Sequence, residues 1–167
     1  MNTTVRDFVI DDIQTLTELY NQYILETSIT FDLEPYTVLQ RQETWMSHYA
    51  SAGRHRLLIA EQAGQIAGYA TSSRFATKAA YDTSVETSIY LFPKAQGKGI
   101  GSRLYGALFE VLAQADVHRA YAGITMPNSA SVALHHKFGF VQAGLYREVG
   151  RKFGRYWDVA WFEKKIG

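Results

Sequence analysis

The sequence predicts a single α/β domain built on a mixed sheet, and three observations lead to it. Segments with the period of a strand are interleaved with segments of helical period, in strand–helix–strand order with hairpins at both ends. The chain has 167 residues, 47% of them hydrophobic, so it can bury a core without metal or disulfide staples. No internal repeat, low-complexity stretch or long linker divides it, and one domain over 1–167 is expected.

The elements follow in order. Thr4 to Ile10 reads as a short strand, and Asp11 with Gln14 has the spacing of a capping box. Behind it Ile13, Leu16, Tyr20, Tyr23 and Ile24 recur at helical spacing. Thr37 with Gln40 repeats the capping signature and opens a second helix carrying Val38, Trp45, Met46 and Tyr49, which Gly53 closes. Arg56 to Glu61 and Gln65 to Arg74 then form a hairpin across Gln62-Ala63-Gly64. In the strand Val85 to Phe92, Glu86 and Tyr90 share one face, opposite Val85, Thr87, Ile89 and Leu91. Pro93 ends it. A helix with Leu104, Leu108, Val111 and Leu112 on one side follows, then a fifth strand, Ala120 to Ile124. A short helix after Met126-Pro127-Asn128 stops at Gly139, where a left-handed residue is wanted. Val141 to Arg147 and Tyr156 to Lys164 make a final strand pair.

Composition removes several function classes. With 17 Lys+Arg against 16 Asp+Glu the net charge is +1, without the basic excess of a non-specific nucleic-acid binder. The absence of cysteine removes a thiolate nucleophile and Cys-based zinc sites. Apolar runs such as Leu57-Leu58-Ile59-Ala60 are too short to cross a bilayer. The start, Met1 to Asp7, lacks the basic-then-apolar layout of a signal peptide. A cytoplasmic protein with neither nucleic-acid nor membrane partner is expected. The aromatic share, 14%, fits core, interface or pocket equally well.

The chemistry concentrates at Gln96-Gly97-Lys98-Gly99-Ile100-Gly101, between a strand and an amphipathic helix. Glycines there let main-chain N–H groups approach an anion, and the helix start adds a favourable dipole. The turn follows a strand's carboxyl end, where open α/β sheets place ligands, so a phosphate or pyrophosphate ligand is expected. The spacing G-x-G-x-G is neither the dinucleotide fingerprint nor the Walker pattern. His135 and His136 lack the spacing and carboxylate company of a helical zinc site, and no metal is expected.

This turn resembles the (Q/R)-x-x-G-x-(G/A) motif of the GNAT superfamily of N-acetyltransferases. Asn128, Ser131, Leu134, Lys137, Gly139 and Phe140 are similar to that superfamily's second coenzyme motif. Asn21-Gln22-Tyr23, Glu26-Thr27-Ser28, Phe31, Glu34-Pro35, Tyr81-Asp82, Glu86 and Ser88-Ile89-Tyr90 resemble the phosphinothricin and methionine sulfoximine acetyltransferases. Phe153-Gly154 and Trp157-Asp158-Val159 do so near the end. The resemblance implies a GNAT-type domain, a mixed and mostly antiparallel sheet of about seven strands with about four helices.

It also implies roles. Acetyl-CoA as co-substrate would lie with its pyrophosphate on Gln96, Gly97, Lys98, Gly99, Ile100 and Gly101. Its pantetheine arm would pair with Ile89, Tyr90 and Leu91, near Asn128 and Ser131. The acceptor would be the α-amine of a small amino-acid analogue of the phosphinothricin, methionine sulfoximine or methionine sulfone type. Amine acetylation needs a base, and both Glu86 and His135 are candidates, whereas His136 is expected to be structural. Phe31, Lys78 and Tyr81 would flank the acceptor, with Arg74 a weaker candidate. Relatives commonly carry a basic residue where this chain has Ala76, which leaves the acceptor less determined. A protein or peptide amine is an alternative acceptor, and a non-catalytic acyl-CoA sensor an alternative function. The cation- and aromatic-rich stretch Gly150 to Trp157 is expected to form a homodimer interface.

Overall fold

The computed structural model describes residues 2–167. Seven strands form one sheet in the order β1-β2-β3-β4-β5-β7-β6. They are β1 (Thr3–Asp7), β2 (Arg56–Gln62), β3 (Gln65–Arg74), β4 (Ser84–Leu91), β5 (Arg119–Met126), β6 (Val141–Lys152) and β7 (Arg155–Lys165). The helices are α1 (Ile13–Glu26), α2 (Val38–Trp45), α3 (Ile100–Leu112) and α4 (Ser129–Lys137). Every strand pairing is antiparallel except β4 with β5, which α3 connects as a crossover. This is the single α/β domain with a mostly antiparallel sheet that the sequence implied.

Strand alternation sorts the apolar side chains onto two faces. Leu58 and Ala60 of β2 and Val85 of β4 join Leu104, Leu108 and Leu112 of α3 in one core. Leu57 and Ile59, with Tyr69 of β3, join Leu16, Leu19 and Tyr23 of α1 and Trp45 of α2 in the other. Each of the three α3 leucines is fully buried, contributing roughly 1.5–3 kcal/mol by transfer. The sheet is therefore the middle layer of three, and β4 has one face on each core.

Local signals explain most boundaries. The Thr37 side chain accepts from Gln40 N at 3.1 Å, and Gln40 returns the bond to Thr37 N at 2.9 Å, so the second capping box forms. Ala63 and Gly64, at φ +52° and +73°, make the tight hairpin turn whose twist suits its strands. Gly139 takes φ +81° at the end of α4.

Four expectations need correction. The Asp11–Gln14 box does not form, because Asp12 takes the capping role, accepting from Val9 N at 2.9 Å. Asp12 is fixed there by two bonds from Arg6, each 2.8 Å, and Gln14 bonds Glu18 instead. That turn also ends β1 at Asp7, short of Ile10. The second helix stops at Trp45 and tightens into a 3₁₀ turn over Met46–His48, so Gly53 lies in the following loop. The last hairpin is longer than expected. β6 continues to Lys152 through irregularities between Gln142 and Gly144 and between Tyr146 and Gly150.

Candidate active site

The two central parallel strands separate soon after they meet. β4 pairs β5 only from Ser84–Arg119 to Glu86–Tyr121. Beyond that point Thr87–Tyr90 and Ala122–Thr125 line a narrow cavity of about 50 Å³, with Ile29, Tyr105, Asn128, Ser131 and His135. A larger groove of about 360 Å³ shares Ile29, Ile89, Asn128 and Ser131 with it. The groove continues along Leu91, Gln96, Gly97, Gly99 and Gly101. The structure thus brings together most of the residues the sequence assigned to the coenzyme.

Within that group the residues contribute differently. Gly97 and Gly99 sit at φ +71° and +76°, a left-handed backbone that side chains resist. Gly99 is the N-cap of α3 and offers no side-chain cap, so the first N–H groups of the helix remain free for an anion. Ile100 is buried in the core and has only its main chain to offer, while Lys98 is exposed. Gln96 Nε2 donates to Tyr23 Oη at 3.1 Å, and Tyr23 Oη donates to Leu91 O at 2.7 Å. This ties the start of the turn to the end of β4. Asn128 caps α4, its Oδ1 accepting from Ser131 N at 3.2 Å. Tyr23, Ile29 and Leu134 also line the groove. Sequence patterning marks Tyr23 only as one of the apolar positions of α1, and nothing local marks Ile29.

Glu86 lies on the other face of β4, between Ser73 of β3 and Tyr121 of β5. It is half-buried, and burial raises its carboxyl pKa above the ordinary 4.5. None of the ion pairs among the described residues includes it. A carboxylate without a cationic partner and with a raised pKa is suited to accept a proton.

His135 is buried, with 3% exposure. Its Nδ1 lies 2.7 Å from Ser131 O, which can only accept, so Nδ1 carries the proton. Nε2 then accepts from Tyr105 Oη at 3.0 Å, and Tyr105 also approaches Thr87 Oγ1 at 3.4 Å. Burial lowers the His135 pKa below its ordinary 6.5, with the Ser131 carbonyl opposing and His136 adding to the fall. Burial likewise raises the Tyr105 hydroxyl pKa. Tyr105 is the partner that sequence reasoning missed, because only the packing of α3 on α4 brings it there. His136 has a structural contact, Nδ1 to Phe140 O at 3.1 Å.

The residues expected around the acceptor lie in two places. Phe31, in the loop after α1, packs against Gly150 of β6. Tyr81 contacts Phe75, ring centroids 5.9 Å apart, and Phe75 stacks on Tyr121, the β5 neighbour of Glu86, at 4.5 Å. Lys78 is exposed at the start of the 3₁₀ turn that carries Tyr81. Arg74 pairs Val85 in register, on the sheet face away from Glu86. Its Nη2 donates to Thr77 O at 2.7 Å and lies 3.5 Å from Asp82. Among the described residues no group of three His, Cys, Asp or Glu side chains is placed to hold a metal ion.

Known proteins share this fold and sequence family. Residues 7–161 match the family described as Acetyltransferase (GNAT) domain. A phosphinothricin N-acetyltransferase of Streptomyces coelicolor is 55% identical over 164 residues, covering 97% of this chain and 95% of its own. An L-methionine sulfoximine/L-methionine sulfone acetyltransferase of Pseudomonas paraeruginosa is 30% identical, covering 99% and 96%. The crystal structure of a phosphinothricin acetyltransferase from Sinorhizobium meliloti in complex with AcCoA superposes with TM-score 0.93 at 32% identity, covering 100% of this chain and 90% of that one. The chain belongs to the GNAT acetyltransferases, and within them is related to the phosphinothricin and methionine sulfoximine enzymes.

Proposed function

We propose that the protein moves the acetyl group of acetyl-CoA to the α-amine of a small amino-acid analogue of the phosphinothricin, methionine sulfoximine or methionine sulfone type. The observation that carries this is the parting of β4 from β5 beyond Glu86. It frees a strand edge beside a glycine turn and leaves a carboxylate on the opposite face of the same strand. The names of the Streptomyces and Pseudomonas relatives support the acceptor class.

Acetyl-CoA supplies an acetyl group activated as a thioester. Main-chain groups of Ile89, Tyr90 and Leu91 hold its extended arm as an added strand would be held, with Asn128 and Ser131 alongside. Amides from Gln96, Gly97, Lys98, Gly99, Ile100 and Gly101 face its pyrophosphate. Glu86 takes a proton from the acceptor ammonium, directly or through water, and its raised pKa suits that task. A main-chain amide among Ile89–Leu91 stabilises the oxyanion formed when the neutral nitrogen attacks. Collapse of that oxyanion breaks the C–S bond and releases coenzyme A, whose thiolate takes up a proton as the acetylated nitrogen loses its own. His135 Nε2 is committed to Tyr105, which favours Glu86 as the base and leaves His135 to orient the Tyr105 hydroxyl beside the cavity.

Phe31 and Tyr81 flank the acceptor, and Lys78 pairs with its anionic end. Arg74 is the weaker candidate, being engaged by Thr77 and Asp82. The exposed apolar side chains Leu145, Tyr146, Val149, Phe153 and Tyr156 of the last hairpin support a homodimer. A cytoplasmic location belongs to the same proposal, and no helix among the described residues is long and apolar enough to cross a membrane.

The test is thiol release from acetyl-CoA across an amine panel. Release with phosphinothricin or methionine sulfoximine, and none with peptides, is the expected result. Release with peptides alone, or acetyl-CoA binding without turnover on any amine, contradicts the proposal.

A further inference from the structure

We propose that Gly150 is a specificity-determining residue for the acceptor. By lacking a Cβ, it lets the Phe31 ring rest on β6 and so fixes the outer wall of the acceptor space. This inference rests on the functional reading above, in which Phe31 flanks the acceptor.

Three observations carry it. First, a Cβ built on Gly150 would overlap the Phe31 ring, meeting Cε2 and Cζ as well as Cδ2 at 2.6 Å. Contacts that close do not occur between real side chains, so either the ring or the loop would have to move. Second, the loop is tied on both sides of Phe31. Thr30 O accepts from Lys152 Nζ at 2.8 Å, and Thr30 Oγ1 lies 2.8 Å from Tyr20 Oη. Asp32 accepts from Tyr20 Oη at 2.6 Å and from Tyr36 Oη at 3.4 Å. Lys152 is itself only 4% exposed and lies two residues from Gly150, on the same face of β6. With the main chain held at Thr30 and Asp32, an added methyl is absorbed by rotation of the Phe31 side chain. Third, Ile29 of the same loop lines both the cavity and the groove at the β4–β5 parting. The stretch that carries Phe31 therefore borders the β4–β5 parting, so a turned Phe31 ring changes the acceptor space while the main chain at Ile29 stays in place.

The test is steady-state kinetics of Gly150→Ala with methionine sulfoximine as acceptor, in wild-type and Phe31→Ala backgrounds. In the wild-type background the acceptor KM rises about tenfold or more, the scale of a one-carbon misfit in a pocket. The acetyl-CoA KM stays unchanged. In the Phe31→Ala background the same change has no further effect, because its steric target is gone. Gly144→Ala, whose Cβ would meet nothing within 4 Å, behaves as wild type. Should Gly150→Ala fail to fold, Lys152→Met frees the loop at Thr30 without adding bulk, and the acceptor KM again rises alone. Equal effects of Gly150→Ala in both backgrounds would overturn the inference, as would an unchanged acceptor KM in the folded variants. Absence of wild-type turnover on any amine would overturn the functional reading and this inference together. Wild-type turnover with an unshifted variant overturns this inference alone.

Discussion

His135 is buried and Glu86 half-buried, and burial displaces their pKa values in opposite directions. For His135 the folded pKa lies below the unfolded value of 6.5, so as pH falls the unfolded chain takes the proton first. The stability linked to neutral His135 is complete above 6.5 and is lost as pH falls toward the folded value. Urea unfolding of the wild type should therefore show a loss over that window. His135→Gln, which keeps hydrogen-bonding capacity without titrating, should show a flatter dependence there. Equal slopes for the two proteins would remove His135 from the account. For Glu86 the sign is reversed. Its folded pKa is raised, so the linked stability is present below 4.5 and declines as pH rises from there. Sequence alternation places Glu86 on a face with Tyr90 but leaves its partners open. Only the strand pairing sets it between Ser73 and Tyr121, where it has no ion-pair partner among the described residues. The commitment of His135 to Tyr105 was equally illegible, since it joins two helices that are distant along the chain.

At the scale of elements, β3 and β4 approach each other closely at Gly68. A Cβ on Gly68 would overlap Tyr90 O and reach Leu91 Cδ2 at 2.5 Å, both on the strand proposed to hold the pantetheine arm. Gly68→Ala should cost about 1–3 kcal/mol of stability, as overpacking does elsewhere. It should also weaken acetyl-CoA binding, and calorimetric titration of the folded variant checks this. Undiminished affinity would show that β4 main-chain position is not what holds the coenzyme. Elements were legible where their determinants are local. The Thr37–Gln40 box needs only its own turn and was readable, whereas Asp12 is recruited by Arg6, which also pairs with Glu61 of β2. No pattern within residues 11–14 encodes that competition.

For the whole molecule, the organising fact is a sheet covered on both faces with one strand serving both. Ile89 and Leu91 of β4 face the α3 side and the groove, while Glu86 and Tyr90 face the α1 side. The glycine turn, the helix behind it and the resemblance of both to GNAT motifs made the fold class and most of the groove legible. The parting of β4 from β5 was not legible, because where a parallel pair ends depends on non-local pairing. The division of faces makes a prediction about function. Under the proposed function, coenzyme binding and proton removal belong to opposite faces of β4 and should be separable by one substitution. Glu86→Gln, assayed for acetyl-CoA affinity and for turnover with methionine sulfoximine, tests this most directly. The predicted result is an unchanged acetyl-CoA Kd with turnover reduced by about 10²–10⁴-fold, the usual contribution of a general base. Full turnover across pH, or loss of acetyl-CoA affinity along with turnover, would contradict it.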